Sequence, residues 1–378
     1  MKRIYYLFIL SLLINACEKP ISDWQSHNFI KYFGSGYESK GNDVIELSDG
    51  TYVIAGFDKQ ENADYQLLAA KVDKNGNLIW SKTYGLKTAG EEAKIVKEVS
   101  DGFLFAGTST GSTGIIHSFI LKIDQYGDSV WYKEFGNPAL SIVVNDFITN
   151  EENIFVAGES YQSGNSKSDY YTAKLTLSGE KVWEWDIFFP NSNSNFERIF
   201  LQSQNILFIG TDGNNNKISM VTSRQSDGFP IDFQVLETEN ETVADVFLND
   251  NQIFILSNIG TTGTRLSKLG LDFVYEWQTE TISSVTGKSF AQNDDKSILI
   301  MGETTEDASS LININTIRVD DTGNAEYGSG SFRTLPGNIS RVKPTKDKGV
   351  ILIGTTNATF GANAQLIKTD EDLFLLKP

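Results

Sequence analysis

The sequence predicts an all-β chain, a seven-bladed β-propeller of four-stranded antiparallel blades closed by an N-terminal strand that completes the last blade. Three observations predict it. An apolar run closed by a small residue recurs every 45 to 52 residues. A Lys-x-Asp-x-x-Gly turn leading to an aromatic residue follows most of these runs. The last copy ends before its fourth strand, and a segment upstream of the first copy resembles the missing piece.

The runs are Thr51 to Gly56, Phe103 to Gly107, Ile154 to Gly158, Ile206 to Gly210, Ile298 to Gly302 and Val350 to Gly354, with Ile253 to Ser257 as a degenerate copy. Segments apolar at nearly every position fit strands buried on both faces. The turn Lys71-Val72-Asp73-Lys74-Asn75-Gly76 leads to Trp80. Lys122 to Gly127 leads to Trp131, Lys174 to Gly179 to Trp183, Lys268 to Trp277, and Arg318 to Gly323 to Tyr327. Ser223 to Gly228 is the weakest copy, and Lys368-Thr369-Asp370 begins a seventh.

In the first unit the four strands read as Val44 to Leu47, the apolar run, Gln66 to Val72 and Leu78 to Tyr84, with Ser48-Asp49-Gly50 as the first turn. No helical periodicity follows Ile14. Phe29-Ile30-Lys31-Tyr32-Phe33-Gly34 resembles the fourth strands Trp80 to Gly85 and Trp131 to Gly136. It can therefore complete the last unit and remove an exposed edge. The closing glycines are expected to admit close backbone approach, the turn aspartates to accept backbone N–H groups, and the tryptophans to sit between adjacent units. Asp73 to Asn77 faintly resembles a calcium loop but lacks the distal bidentate glutamate, so no metal is expected there.

The chain opens with Lys2 and Arg3, then an eleven-residue apolar run from Ile4 to Ile14. That is short for a membrane span and suits a signal-peptide core. Ile14-Asn15-Ala16-Cys17 resembles the bacterial lipobox, in which the cysteine is lipidated and becomes the new N-terminus. The expected organisation is a lipoprotein signal at 1–16, a lipidated tether at 17–27 and the propeller at 28–378. The alternative is an ordinary secretory signal in which Cys17 plays no part. Cys17 is the only cysteine, so no disulfide forms within the chain. The formal charge of −17 argues against nucleic acid and against docking on anionic lipid by charge.

The Lys-x-Asp-x-x-Gly-x-x-x-Trp turn resembles the blade motif of quinoprotein-like (PQQ-like) propellers. The whole unit, with its glycine-closed second strand, resembles the repeats of uncharacterised secreted bacterial propellers over Phe29 to Pro378. The resemblance implies a fold. Quinoprotein dehydrogenases have eight blades and often a vicinal disulfide; this chain has seven units and one cysteine, so no quinone cofactor is expected. The envelope lipoprotein of the barrel-assembly machinery is similar in architecture, an anchored scaffold.

Counting thirteen residues back from each closing position gives Asp43, Lys94, Asn145, Glu197, Ala244, Ser289 and Arg341. With their neighbours Asp146, Arg198 and Asp245, these are expected to cluster at the mouth of a central channel, on the face that carries the long loops. Such mixed charge could hold a small polar ligand or form an ion-paired plug. His27 and His117 stand far apart, and no nucleophile elbow, phosphate loop or His/Cys metal cluster is present. The expected function is a non-catalytic binding or scaffold lipoprotein of a bacterial envelope, at the outer membrane or cell surface. It would grip a protein partner through the long loops, among them 57–64, 108–116, 159–168 and 304–310 and the inter-unit stretches 86–92 and 190–195. The alternatives are a glycan-binding or glycan-cleaving propeller, which would need exposed aromatics beside two facing carboxylates, or a purely structural spacer.

Overall fold

The computed structural model describes residues 28–370, apart from short segments at 36, 86–88, 112–113, 163–166, 188–192, 215, 239, 262, 293–295, 305–312, 334–336 and 359–360. The expected signal, Cys17 and the tether to residue 27 lie outside the described residues, as do 371–378 and parts of every long loop named above except 57–64.

The described residues form twenty-nine strands and no helix. The chain begins with β1 (Phe29–Phe33). A first quartet follows: β2 (Glu38–Glu46), β3 (Tyr52–Lys59), β4 (Tyr65–Val72) and β5 (Leu78–Tyr84). The second is β6 (Gly90–Val99), β7 (Gly102–Thr110), β8 (Ile116–Ile123) and β9 (Ser129–Phe135). The third is β10 (Leu140–Thr149), β11 (Asn153–Gln162), β12 (Ser168–Thr176) and β13 (Lys181–Ile187). Next come β14 (Asn195–Gln202), β15 (Asn205–Asp212), β16 (Lys217–Arg224) and β17 (Pro230–Val235). Then β18 (Glu241–Asn249), β19 (Gln252–Ile259) and β20 (Gly263–Gly270) are joined by β21 (Tyr275–Gln278) and the short β22 (Ile282–Ser283). The chain continues through β23 (Thr286–Gln292), β24 (Ile298–Thr304), β25 (Asn313–Val319) and β26 (Ala325–Arg333). It ends with β27 (Gly337–Pro344), β28 (Val350–Ala358) and β29 (Gly361–Thr369).

Each quartet is an antiparallel meander in chain order. The last three strands gain β1, which lies antiparallel to β29 with Phe29 opposite Lys368 and Phe33 opposite Ala364. A single parallel bridge, Glu38 to Ala362, links β29 to β2, so this group and the first quartet count as one eight-stranded sheet. The first strands begin earlier than their apolar residues suggest: β2 starts at Glu38, not Val44. The leading half of β2 is polar yet buried, with Ser39, Asn42 and Asp43 all inside.

Burial follows position in the quartet. Second strands are apolar on both faces; β7 buries every residue but Thr110. Fourth strands alternate and face solvent, as β5 does. The apolar clusters lie between successive sheets. Val53, Ala55 and Leu67 meet Val96, Phe105 and Phe119, and Phe155 and Tyr170 meet Phe196 and Phe208. Phe29, Val44, Tyr52 and Ile54 meet Ile351, Ile353 and Leu366, joining the two ends of the chain. The first strands also touch in succession, β2 to β6, β10, β14, β18, β23 and β27, and β27 touches β2.

Every pairing of a first with a second strand carries a bulge at the same place, just after the residue opposite the closing position. The bulge explains the repeated glycine. A Cβ at Gly56 would fall on the carbonyl oxygen of Lys40, and one at Gly107 on that of Glu92. In the degenerate copy Ser257 takes this place, and its buried hydroxyl donates to Glu241 at 3.0 Å.

A second repeated contact joins neighbouring quartets. The turn glycines Gly76, Gly127, Gly179, Gly228 and Gly323 all have positive φ, and the bare faces of the last four receive Trp80, Trp131, Trp183 and Trp277 of the preceding quartet. Gly76 receives Phe29 instead. Lys82 reaches Asp128 at 2.6 Å and Lys133 reaches Glu180 at 2.8 Å, while Lys31 of β1 donates to Asn77 at 3.2 Å. In each respect β1 behaves as a fourth strand.

Phe29 is 8% exposed and lies edge-on to Tyr52 at 6.2 Å. We expect Phe29→Ala to lower the unfolding free energy by about 3 kcal/mol in urea titration, the cost of emptying a buried aromatic site. A loss under about 1 kcal/mol would show that β1 adds little to the fold.

Candidate functional site

The first strands converge on a cavity of about 540 Å³. Its lining begins at the residue after each bulge: Asp43, Ile95, Asp146, Arg198, Asp245, Ser289 and Arg341. It continues to Lys97 and Lys343, each two residues further along a first strand, and to the apolar side chains of Ile45, Ile148, Phe200 and Phe247. The lining runs toward the turns between first and second strands, ending at residues such as Glu46, Glu98 and Pro344. The cavity therefore lies on the short-turn side of the bulges, not on the long-loop side expected from the sequence.

The structure divides the expected set of residues. Asp43, Asp146, Arg198, Asp245 and Arg341 share the cavity, whereas Lys94, Asn145 and Glu197 occupy the bulges themselves and do not line it. The cause is hairpin length. Asp43, Ser289 and Arg341 follow their bulges at thirteen residues from the closing position, because those three hairpins are one residue longer than the other four. In the shorter hairpins the same count lands on the bulge residue.

The three cavity aspartates share one design. Asp43 Oδ1 accepts the N–H of Val44 at 2.9 Å, and its Oδ2 accepts the N–H of Val96, on the next quartet, at 3.1 Å. Asp146 accepts from Phe147 at 2.9 Å and from Ile199 of the next quartet at 3.3 Å. Asp245 accepts from Val246 at 3.0 Å and from the hydroxyl of Ser289, which also lies 2.8 Å from the Val342 carbonyl. Each carboxylate thus joins two adjacent first strands. Each also meets a cation: Lys343 at 2.6 Å from Asp43, Lys97 at 3.1 Å from Asp146, and Arg198 through Nε at 2.9 Å and Nη2 at 2.6 Å on Asp245.

Burial by itself would raise the pKa of Asp43, but Lys343 and Arg341 outweigh it and hold the carboxyl below its usual range. Burial opposes in the same way at Asp245, where Arg198, Arg341 and the Ser289 hydroxyl prevail. At the bulge residues Glu197 and Lys94 burial prevails and favours the neutral form. Burial raises Glu197, aided by nearby Glu159, against the pull of Arg198. Burial likewise raises Glu159. Burial lowers Lys94, with Glu92 and Glu159 opposing. Asn145 ties its bulge to the next quartet by donating to the Phe196 carbonyl at 3.1 Å, and Asn42 does the same to Ala93 at 2.8 Å.

Sequence reasoning missed Lys97 and Lys343. Both lie two residues beyond a post-bulge position, on the same strand face, so the period of two could have found them once the bulge was placed. The calcium-like turn is closed by its own bonds: Asp73 Oδ1 accepts from Asn75 and Asn77, and Oδ2 from the Asn77 amide. Among the described residues no group of His, Cys, Asp and Glu is arranged to hold a metal. Exposed aromatics such as Tyr132, Trp185, Phe229 and Phe233 stand on or beside fourth strands.

No family model matches the chain, and no curated protein matches it by sequence. Solved structures do. The WD40 β-propeller domain of Doa1 superposes with a TM-score of 0.56 at 13% identity, over 90% of this chain and 97% of that domain. The fold is that of a β-propeller. Kluyveromyces lactis Hsv2 aligns with a TM-score of 0.49 and 11% identity over 88% of this chain and 100% of its own. BamB from Moraxella catarrhalis aligns with 0.45 and 11% over 89% and 97%. At these identities the propeller likeness concerns the fold alone.

Two outcomes are expected of this centre. Asp245→Ala leaves the Arg198 guanidinium buried without its carboxylate and should cost about 3 kcal/mol in urea unfolding. Stability should also pass through a maximum on the acid side of neutrality. Glu159 and Glu197 have folded pKa values above their unfolded ones, so stability rises as pH falls through the folded values. Asp43 and Asp245 have folded values below the unfolded ones. Their contribution is complete above roughly pH 4 and is lost as pH falls further through the folded values. Glu197→Gln should reduce the rise and Asp245→Asn the fall, both read from urea midpoints across pH.

Proposed function

We propose that the chain is a seven-bladed propeller ring closed by β1, and that it serves as a lipid-anchored, non-catalytic binding platform of a bacterial envelope. Seven blades follow if the single Glu38 to Ala362 bridge is a seam between two blades, the last built from β27, β28, β29 and β1. The seam is supported by contacts like those between other neighbours: Lys343 on Asp43 at 2.6 Å, and Lys346 donating to Glu46 and to the Leu47 carbonyl, each at 2.9 Å.

One observation carries the platform reading. The three aspartates of the central cavity are all committed to joining neighbouring first strands, with each charge matched by a cation. Carboxylates occupied in this way by N–H or hydroxyl donors and a cation are poor general acids and bases. Recognition then falls to the loops of a rigid scaffold. Tyr37, between β1 and β2, is half exposed and is held by a 2.6 Å hydrogen bond to Glu61 in the β3–β4 loop. A fixed aromatic of this kind suits a protein partner, because little side-chain entropy remains to be lost on binding.

The anchor rests on the lipobox-like Ile14 to Cys17. The eleven residues from Cys17 to His27 reach at most about 36 Å, which would keep the propeller close to its membrane, at the outer membrane or cell surface. Crosslinking in intact envelopes, followed by membrane fractionation and identification of the bound protein, tests both parts. The wild-type chain should be found in the membrane fraction, and Cys17→Ala in the soluble one. Tyr37→Ala should lose most of the crosslinked partner while keeping the wild-type urea midpoint. A membrane-bound Cys17→Ala chain would end the anchor reading, and undiminished crosslinking by Tyr37→Ala would move recognition away from this face.

A further inference from the structure

The inner end of the central cavity holds one more cation than carboxylates, in a chain whose formal charge is −17. At the post-bulge positions and two residues beyond, three carboxylates face four cations: Asp43, Asp146 and Asp245 against Lys97, Arg198, Arg341 and Lys343. Glu46 and Glu98 border only the outer end, where Glu46 accepts the Lys346 N–H and Glu98 is exposed.

Three of the four cations are committed at 2.6 to 3.1 Å to the aspartates described above. Arg341 is not. Its Nε stands 3.9 Å from Asp43 and its Nη1 3.9 Å from Asp245, beyond hydrogen-bond reach. It makes no hydrogen bond among the described residues, although its side chain is only 19% exposed. A guanidinium has five N–H donors, and at the cavity wall those of Arg341 are open to an acceptor that enters the cavity.

We propose that this cavity binds a small organic monocarboxylate with an apolar or aromatic body, its carboxylate taken in two-pronged fashion by Arg341. The fork of a guanidinium matches a carboxylate. A single negative charge matches the one surplus positive charge at the inner end, whereas a dianion would exceed it. The apolar wall of Ile148, Phe200 and Phe247 would receive the rest of the molecule. At about 540 Å³ the volume is in the range of small-molecule sites. The site is separate from the long-loop surface proposed for a protein partner, so either can fail without the other.

Isothermal titration of the full chain with benzoate tests this, with benzamide as the neutral isostere and inorganic phosphate as a more highly charged anion. Benzoate should bind saturably, with benzamide and phosphate each weaker by at least about tenfold, the value of a charge-assisted pair. Arg341→Met should weaken benzoate by about as much while keeping the wild-type circular dichroism. If Arg341→Met does not fold, Arg341→Lys keeps the charge and loses the fork, and should still weaken benzoate several-fold. Absence of saturable benzoate binding, equal affinity for benzamide, tighter binding of phosphate, or an unchanged affinity in a folded Arg341 variant would each overturn the proposal.

Discussion

The bulge in each first strand is the feature on which the rest of the molecule depends. It inserts one residue where the first strand passes the closing position of the second, and the strand turns there. The turn brings a first-strand carbonyl against the closing glycine, which has no Cβ to obstruct it. It also aims the next side chain at the centre. Those side chains then meet the neighbouring first strands, through Asp43 to Val96, Asp146 to Ile199, and Asp245 through Ser289 to the Val342 carbonyl. A local irregularity of the sheet thereby sets the contacts between sheets.

Charge at the centre and apolar packing between the sheets act over different ranges. The clusters of Val, Ile, Leu and Phe bury large areas and supply most of the favourable free energy. They do not define a register, because neighbouring apolar side chains can slide with modest loss. The ionised pairs are directional and lose much if one partner is removed. Arg198 on Asp245 joins two sheets, and Lys343 on Asp43 joins the two ends of the chain. Arg341 stands 3.9 Å from each of two aspartates and hydrogen-bonds to neither.

The outer rim repeats a simpler device. An aromatic residue on a fourth strand covers the bare face of a turn glycine in the next quartet, and a lysine two residues on reaches the same turn. Phe29 and Lys31 of β1 make this contact with Gly76 and Asn77, although more than three hundred residues separate β1 from its partner strand β29. The N-terminal strand also covers an edge of β29 that would otherwise be open to pairing with another chain.

The all-β class, the repeat, the turns and the pairing of β1 with the last strands were legible in the residues, because each rests on contacts within about fifty residues or on direct likeness between segments. Apolar runs such as Phe103 to Gly107 and turns such as Asp73 to Gly76 carry their conformation in local chemistry. Which polar residues meet became visible in the assembled fold. A hairpin longer by one residue separates Lys94, Asn145 and Glu197 from Asp43 and Arg341, and nothing in a count of positions reveals it. The leading half of β2 was hidden for a related reason. Ser39, Asn42 and Asp43 look like surface residues until the partners that satisfy them arrive from other parts of the chain. Pairing of charges across sheets depends on distances in space, and those distances exist only once the sheets are assembled.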